Sequence, residues 1–288
     1  MQPIPRTALV FGASGQIGAP LVERLRADGW RVLALSRQPR ADADALHWLR
    51  GEFDALPALP ASVDAVFSCG PLDRFARWLE ATHVQAPRIV AFGSTSVHVK
   101  QDSADAGERD LARRLREAEA LLFDVAARRG VAATVLRPTL VFGAGRDATL
   151  TRIAALARRL RGFVLPRGAD GLRQPVHVDD LAAAAFAAEA APASHGRAYD
   201  LPGGEALPYR EMVRRVLACQ CPPLRLRQVP MPLFRLLLAG ARLGGMARDL
   251  NDEAVRRMAG DLAFDAGPAQ RDFGYAPRRF DPDAGMFG

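Results

Sequence analysis

The residues whose type and spacing best fit a chemical role stand close to the start of the chain. Gly12-Ala13-Ser14-Gly15-Gln16-Ile17-Gly18 follows directly on the apolar run Thr7-Ala8-Leu9-Val10-Phe11. It opens a segment, residues 16–28, in which Ile17, Leu21, Val22 and Leu25 recur at helical spacing. A strand, a glycine-rich turn and a helix in that order make a site for a pyrophosphate. One glycine makes the turn, one lets the backbone approach the phosphates, and one lets helix and strand pack closely. The helix start then presents free N–H groups and the positive end of its dipole. The spacing is GxxGxxG rather than the commoner GxGxxG, but the physical requirements are the same. Gly12, Ser14, Gly15, Gln16, Ile17 and Gly18 are therefore expected to hold a dinucleotide. The next strand ends in Leu35-Ser36-Arg37-Gln38-Pro39-Arg40. About 20 residues past the glycines, an Asp or Glu usually bonds the ribose of NAD. Here that place holds Ser36 and Arg37, so no carboxylate repels a 2′-phosphate, and Arg37 and Arg40 carry charge to bind one. NADP is expected, with NAD as the second choice.

The basic residues narrow the chemistry in another way. Lys and Arg number 39 against 32 Asp and Glu in 288 residues, a net charge of +7, and Lys100 is the single lysine. A mechanism that needs a lysine must use Lys100 or do without. The arginines are scattered along helical patterns beside acidic residues, and aromatics make up only 7% of the chain. That pattern is a solvated surface, not the one-sided basic face of a nucleic-acid binder. Apolar residues at 49% and charged residues at 25% exclude wholesale disorder. The opening Met1-Gln2-Pro3-Ile4-Pro5-Arg6 has no charged segment before an apolar run, so no secretory signal is expected. Residues 181–193 and 231–246 carry charges and fall short of a membrane span. Cys69, Cys219 and Cys221 form no disulfide framework and no zinc spacing. Reduced thiols, no metal and a cytoplasmic setting are expected.

The elements that must position these residues alternate from the start. Short apolar runs at 7–11, 31–35, 63–69, 88–92 and 131–136, with 46–50 as a further candidate strand, alternate with helical patterns at 16–28, 72–83 and 106–129. Repeated units of this size build a parallel sheet with helices on both faces. After residue 140 the regularity is lost. Two loops, 142–146 and 166–171, flank a helix at 148–162, and proline clusters follow at 222–223 and 230–232. The expected fold class is α/β, a Rossmann-type doubly wound parallel sheet with a small C-terminal substrate cap. Residues 1–140 form the dinucleotide-binding core, and residues 141–288 form the cap, partly interwoven with the core.

Further segments strengthen the reading, and together they resemble the extended and atypical short-chain dehydrogenase/reductases, the NAD-dependent epimerase/dehydratase group. Gly51-Glu52-Phe53-Asp54 is similar to the segment after the third strand, where an acid meets adenine. Ser68-Cys69-Gly70 matches the small-residue turn after strand four. Phe92-Gly93-Ser94-Thr95-Ser96-Val97-His98 resembles the serine-rich end of strand five, and Leu136-Arg137-Pro138-Thr139-Leu140-Val141-Phe142-Gly143 the segment after strand six. Arg173–Leu181 and Phe273-Gly274-Tyr275-Ala276-Pro277 are similar to later signatures of the group. The resemblance adds Glu52, Phe53, Cys69, Gly70 and Pro138 to the cofactor site. It places Thr95, Thr139 and Arg173 on the substrate side, Arg173 at a position that binds phosphate in nucleotide-sugar members.

The catalytic signature of the group, Tyr-x-x-x-Lys on the helix after strand five, has no counterpart. The tyrosines are Tyr199, Tyr209 and Tyr275, and none has a lysine four residues on. Matching Glu119 to the glutamate that commonly follows the pair sets Leu111 and Leu115 in its place, and a shift by two sets Arg109 and Arg113 there. Arginine, with a pKa above about 12, is a poor proton donor near neutral pH. Ser94 takes the position of the catalytic serine or threonine, and His98, of the residue type suited to proton transfer at neutral pH, is the candidate replacement proton donor. His177 reads as a packed histidine. Asp179 and Asp180 read as helix-capping carboxylates. The amphipathic stretch 230–246 reads as a cap helix over the cleft, with a dimer face or a peripheral membrane contact as the other readings. Two functions follow: an NADP-dependent oxidoreductase or epimerase/dehydratase-like enzyme on a small anionic substrate, or a catalytically silent NADP-binding redox sensor, scaffold or assembly factor. A small molecule is the expected partner, with no nucleic acid and no integral membrane segment, and a homodimer is left open.

Overall fold

The computed structural model describes residues 5–147, 149–243 and 252–287. Outside the described residues lie Met1 to Ile4 of the opening segment, residue 148 of the expected helix at 148–162, and residues 244–246 of the amphipathic stretch 230–246.

The first half alternates strand and helix: β1 (Thr7–Phe11), α1 (Gly18–Ala27), β2 (Arg31–Ser36), β3 (Leu46–Arg50), β4 (Ala65–Ser68), α2 (Leu72–Ala81), β5 (Arg88–Phe92), α3 (Ser96–Val99), α4 (Ala106–Arg129) and β6 (Ala132–Pro138). The second half holds β7 (Val141–Phe142), α5 (Leu150–Leu160), β8 (Phe163–Pro166), β9 (Leu172–Arg173), β10 (Val176–His177), α6 (Val178–Ala190), β11 (Arg197–Leu201), β12 (Leu207–Pro208), α7 (Tyr209–Ala218), β13 (Leu226–Val229), α8 (Met231–Leu243), α9 (Asp252–Arg257) and α10 (Gly267–Phe273).

Seven strands form one sheet in the order β11-β6-β5-β4-β1-β2-β3, and every neighbouring pair is parallel. The strands read as continuous apolar runs because both faces are covered. In β1, Ala8 and Val10 pack with Leu21, Leu25 and the α6 alanines, whereas Leu9 and Phe11 pack with Phe75, Leu79 and Leu122 of α2 and α4. This is the two-residue alternation of a strand buried on both sides. The chain order reverses between β1 and β4, and at such a switch point ligands bind outside the carboxyl ends of the strands.

The seventh strand, β11, was not among the strands expected from the sequence. It pairs with β6 from Arg197 opposite Thr134 to Leu201 opposite Pro138, and α6 packs on α1, so residues 178–201 return to the core sheet. Arg88 of β5 pins this return. Its buried guanidinium donates to the carbonyls of Ala188, Glu189, Ile89 and Ala132 and to the hydroxyls of Thr134 and Ser194. Those bonds replace lost hydration and hold the end of α6 to the sheet edge.

The cap has its own core, in which Leu150, Ile153, Ala154 and Ala157 of α5 meet Met212, Val213 and Val216 of α7 with Phe142, Leu165, Phe280 and Phe287. The parallel pair β8–β13 and helix α8 complete it. At the start of α6 the cap differs from expectation. His177 Nδ1, not an aspartate, accepts the Asp179 N–H at 3.2 Å. Asp180 instead binds the Nε and backbone N–H of Arg278, each at 2.9 Å, because both aspartates fall within the first helical turn rather than before it.

Candidate functional site

The turn between β1 and α1 is tight at each end. Gly12 has φ +68°, and a Cβ there would stand 2.9 Å from the Cys69 carbonyl carbon and oxygen. At Gly18 a Cβ would stand 2.1 Å from the Gly12 oxygen and 2.8 Å from the Ala13 Cα. The Gly15 N–H donates to the Gly12 carbonyl at 2.9 Å. No side chain caps α1, and the N–H groups of Gln16, Ile17 and Gly18 have no partner among the described residues. Gln16 Oε1 is buried without a partner. Ser14 is reached from the cap, where Arg146 Nη1 donates to its carbonyl at 3.1 Å and brings a positive charge to the turn. Free amides, a helix dipole and an arginine at one place fit a pyrophosphate.

At the end of β2, Ser36 is buried and its Oγ accepts the Gln38 N–H at 3.2 Å. Arg37 is exposed with no charged partner among the described residues, and Arg40 lies over the Trp48 ring at 5.1 Å. Phe53 stacks on Phe11, with centroids 4.9 Å apart and planes within 4°, and approaches Gly70 so closely that a Cβ there would be 3.2 Å from its ring. Glu52 is exposed and bridges to Ala55 through its backbone. Burial pushes the Cys69 thiol up to about 12, which keeps it protonated. Pro138 ends β6, and its carbonyl accepts both the N–H and the hydroxyl of Thr95. The structure thus gathers Gly12 to Gly18, Ser36, Arg37, Cys69, Gly70 and Pro138 at the carboxyl end of the sheet.

Beside them a cavity of about 1120 Å³ opens between core and cap. Gln16, Ser94, Thr95, Ser96, Lys100 and Thr139 line its core side. Ser94 Oγ accepts the Ser96 N–H at 3.1 Å, which leaves its own proton free to donate. The Thr95 hydroxyl is spent on Pro138, and that of Thr139 on the Gln174 carbonyl. His98 does not reach the cavity. Its Nε2 lies 3.1 Å from Asp200 Oδ1 and 3.3 Å from Arg137 Nη1. Arg137 in turn holds the buried Glu119 through two hydrogen bonds, one of them 2.9 Å from Nε. Ion-pair and packing partners likewise draw the four residues at the Tyr and Lys positions away. Leu115 packs against the α2–α4 core and Leu111 is half-buried. Arg109 donates to the Ser103 and Ala104 carbonyls, and Arg113 pairs with Asp110 and Glu117. None of the four lines the cavity.

Lys100 does line it. The sequence singles it out by number alone; one turn of α3 sets it on the cavity side. Its Nζ is 3.6 Å from Glu108 Oε1, and Glu108 also accepts bonds from Arg257 and from Ser103 Oγ at 2.7 Å. Burial raises the Glu108 carboxyl, but the Arg257 and Ser103 hydrogen bonds and the charges of Arg257 and Lys100 outweigh it and hold it below the usual range. Arg146, Glu108, Arg257 and Tyr209 are further site residues that the sequence pattern did not mark. Arg173 is buried at the cavity wall. Nη1 donates to the Leu172 and Gly260 carbonyls at 2.7 and 2.9 Å, Nη2 donates to the Arg257 carbonyl, and the guanidinium sits 5.2 Å from the Tyr209 ring. Burial first, and the nearby Arg257 charge, lower its pKa. Among the described residues no carboxylate pairs with it, no cluster of His, Cys, Asp or Glu fits a metal ion, and no helix is long and apolar enough to cross a membrane.

Comparison with known proteins agrees with this geometry. The model of the NAD dependent epimerase/dehydratase family matches residues 8–71 and 75–201. A 2-alkyl-3-oxoalkanoate reductase of Stenotrophomonas maltophilia is 25% identical, with 94% of each chain covered. Among solved structures, the terminal R domain from the myxalamid PKS-NRPS biosynthetic pathway is similar with a TM-score of 0.75 at 21% identity, covering 99% of this chain and 89% of that one. The UDP-glucuronic acid 4-epimerase of Bacillus cereus, solved with NAD, is similar with a TM-score of 0.68 at 14% identity, covering 94% and 91%. The matched segments run from β1 through the glycine turn to the last strand of the sheet, and the chain belongs to the NAD-dependent epimerase/dehydratase family of extended short-chain dehydrogenase/reductases.

Proposed function

We propose that this chain is an NADP-dependent oxidoreductase that interconverts a carbonyl and an alcohol on a small anionic substrate. The observation that carries the reading is Ser94, with its hydroxyl proton free, on the same cavity wall as the single lysine and beside an intact glycine cradle. The nicotinamide, when bound, supplies or accepts the hydride. In the reducing direction the Ser94 O–H donates to the carbonyl oxygen and stabilises the charge that develops on it. The Lys100 ammonium gives up the proton that turns the alkoxide into a hydroxyl, and solvent at the cavity mouth returns it. Arg173 is buried at that wall with Arg257 beside it, and the positive charge of the pair favours an anionic substrate group there. An oxo acid combines the required carbonyl and anion, and the 2-alkyl-3-oxoalkanoate for which the reductase relative is named has both. Arg37 and Arg40, with no acid at the end of β2, favour NADP over NAD.

The test is NADPH consumption with a panel of 3-oxo acids. Ser94→Ala and Lys100→Met should each lower kcat about 100-fold and leave NADPH affinity unchanged. A Ser94→Ala rate equal to that of the unaltered protein overturns the assigned site. A silent NADP-binding sensor or scaffold is the second reading, favoured by the apolar Leu111 and Leu115 where the family pair would stand. It is supported if NADPH binds and no oxo acid is turned over.

A further inference from the structure

The cavity wall contributed by the cap has a chemistry of its own. On α5 it presents Leu156 and Leu160, on β8 Phe163, and on α8 Phe234, Leu237 and Leu238. Leu160 and Leu237 are 53% and 47% exposed, which is costly for large apolar side chains gathered at one opening unless a ligand covers them. Among the described lining residues of α5, β8 and α8, Arg152 is the one polar side chain, and Asp147 and Thr149 line the cavity just before α5. A sugar or a nucleobase, with its many donors and acceptors, would find no partner along the apolar stretch of Leu156, Leu160, Phe163, Phe234, Leu237 and Leu238. The arginines that line this region, Arg152, Arg161, Arg225 and Arg227, are exposed, and long aliphatic stems of this kind lie along apolar surface with the charged end in water.

We infer that the substrate's remaining part is an alkyl chain, seated along the α5–β8–α8 wall, with its carbonyl end at Ser94 and Lys100 and its anion toward Arg173. The substrate class is an amphiphilic oxo acid, not a nucleotide sugar. This deepens the oxidoreductase reading and rests on it for the position of the carbonyl.

The test is calorimetric titration of the full chain, saturated with NADP, with hexanoate, octanoate, decanoate and dodecanoate, and separately with UDP-glucuronate. Full burial of a methylene tightens binding about fourfold, so affinity should climb with each step of the series and UDP-glucuronate should bind more weakly than dodecanoate. Leu156 and Leu237 are only half-buried, so Leu156→Asn and Leu237→Asn should fold; each should flatten the series and leave hexanoate and NADPH affinity within about twofold. A flat series in the unaltered protein overturns the inference. So does a slope untouched by both variants, or tighter binding of UDP-glucuronate than of dodecanoate. NADPH titration of the same samples reports on the oxidoreductase reading alone: its failure sinks that reading whatever the alkanoate slope.

Discussion

Gly18 offers the sharpest structural test of the cofactor cradle. Its φ is ordinary, so an alanine there meets no backbone penalty and any effect is steric. The added methyl would stand 2.1 Å from the Gly12 oxygen and 2.8 Å from both the Gly12 carbonyl carbon and the Ala13 Cα. All three are backbone atoms of the turn, and none can swing aside as a side chain would. Carbon contacts settle near 3.5 Å or more, so α1 must withdraw from β1 by roughly 1 Å. Overpacking of this kind costs about 1–3 kcal/mol, or a few degrees to about 10 °C in melting temperature for a chain of this size. The withdrawal also moves the free Gln16, Ile17 and Gly18 amides off the pyrophosphate. Gly18→Ala should therefore weaken NADPH by about 100-fold, the loss of two charge-assisted hydrogen bonds. Gly29→Ala is the control. Its φ is +79° with nothing within 4 Å of the added methyl, so it should lose about 1–2 kcal/mol of stability through left-handed strain and no cofactor affinity. Fluorescence titration of NADPH and thermal unfolding read both effects. A Gly18→Ala protein that binds NADPH as the parent does would refute the role given to the turn.

Three further outcomes are expected. Arg37→Ala should weaken NADPH about tenfold, the share of one charge-assisted contact at an exposed site, and leave NADH within about twofold; equal losses would remove the 2′-phosphate role. Arg137→Gln strands the buried Glu119 carboxylate and should cost about 3 kcal/mol in urea unfolding, with part recovered in the double variant carrying Glu119→Gln; no recovery would show that the two side chains are not coupled. His177 is held below its ordinary pKa, by burial first and then by the Arg278 charge. The unfolded chain therefore binds the proton more readily, and stability contributed by neutral His177 is complete above about pH 6.5 and falls as pH drops below it. His177→Asn keeps a capping acceptor without titrating, and its melting temperature should fall less steeply between pH 7 and 5.

What was legible in the sequence was what is local. The β1 run, the glycine turn and the Ile17–Leu25 stripe are contiguous, and the structure forms them within a residue or two of the expected places. What was hidden depends on contacts across the chain. Strand β11 buries only two side chains, Tyr199 and Leu201, and its partner lies some sixty positions earlier in the sequence, so no local signal marks it. His98 and Lys100 stand two positions apart, on opposite sides of a short helix. Their types favour His98 as the proton donor near neutrality, but Asp200 and Arg137, distant in sequence, draw His98 outward and leave Lys100 facing the cavity. Nothing local in the sequence marks Arg173 as buried. Its burial against Tyr209 and the carbonyls around Gly260 depends on the folding of residues far downstream.

Transfer of deuterium from labelled NADPH to a 3-oxodecanoate carbonyl tests the account most directly. It predicts the label on the carbinol carbon of one stereoisomer of the 3-hydroxy acid, with transfer lost in Ser94→Ala protein that still binds NADPH. NADPH bound tightly with no label in any product would contradict it.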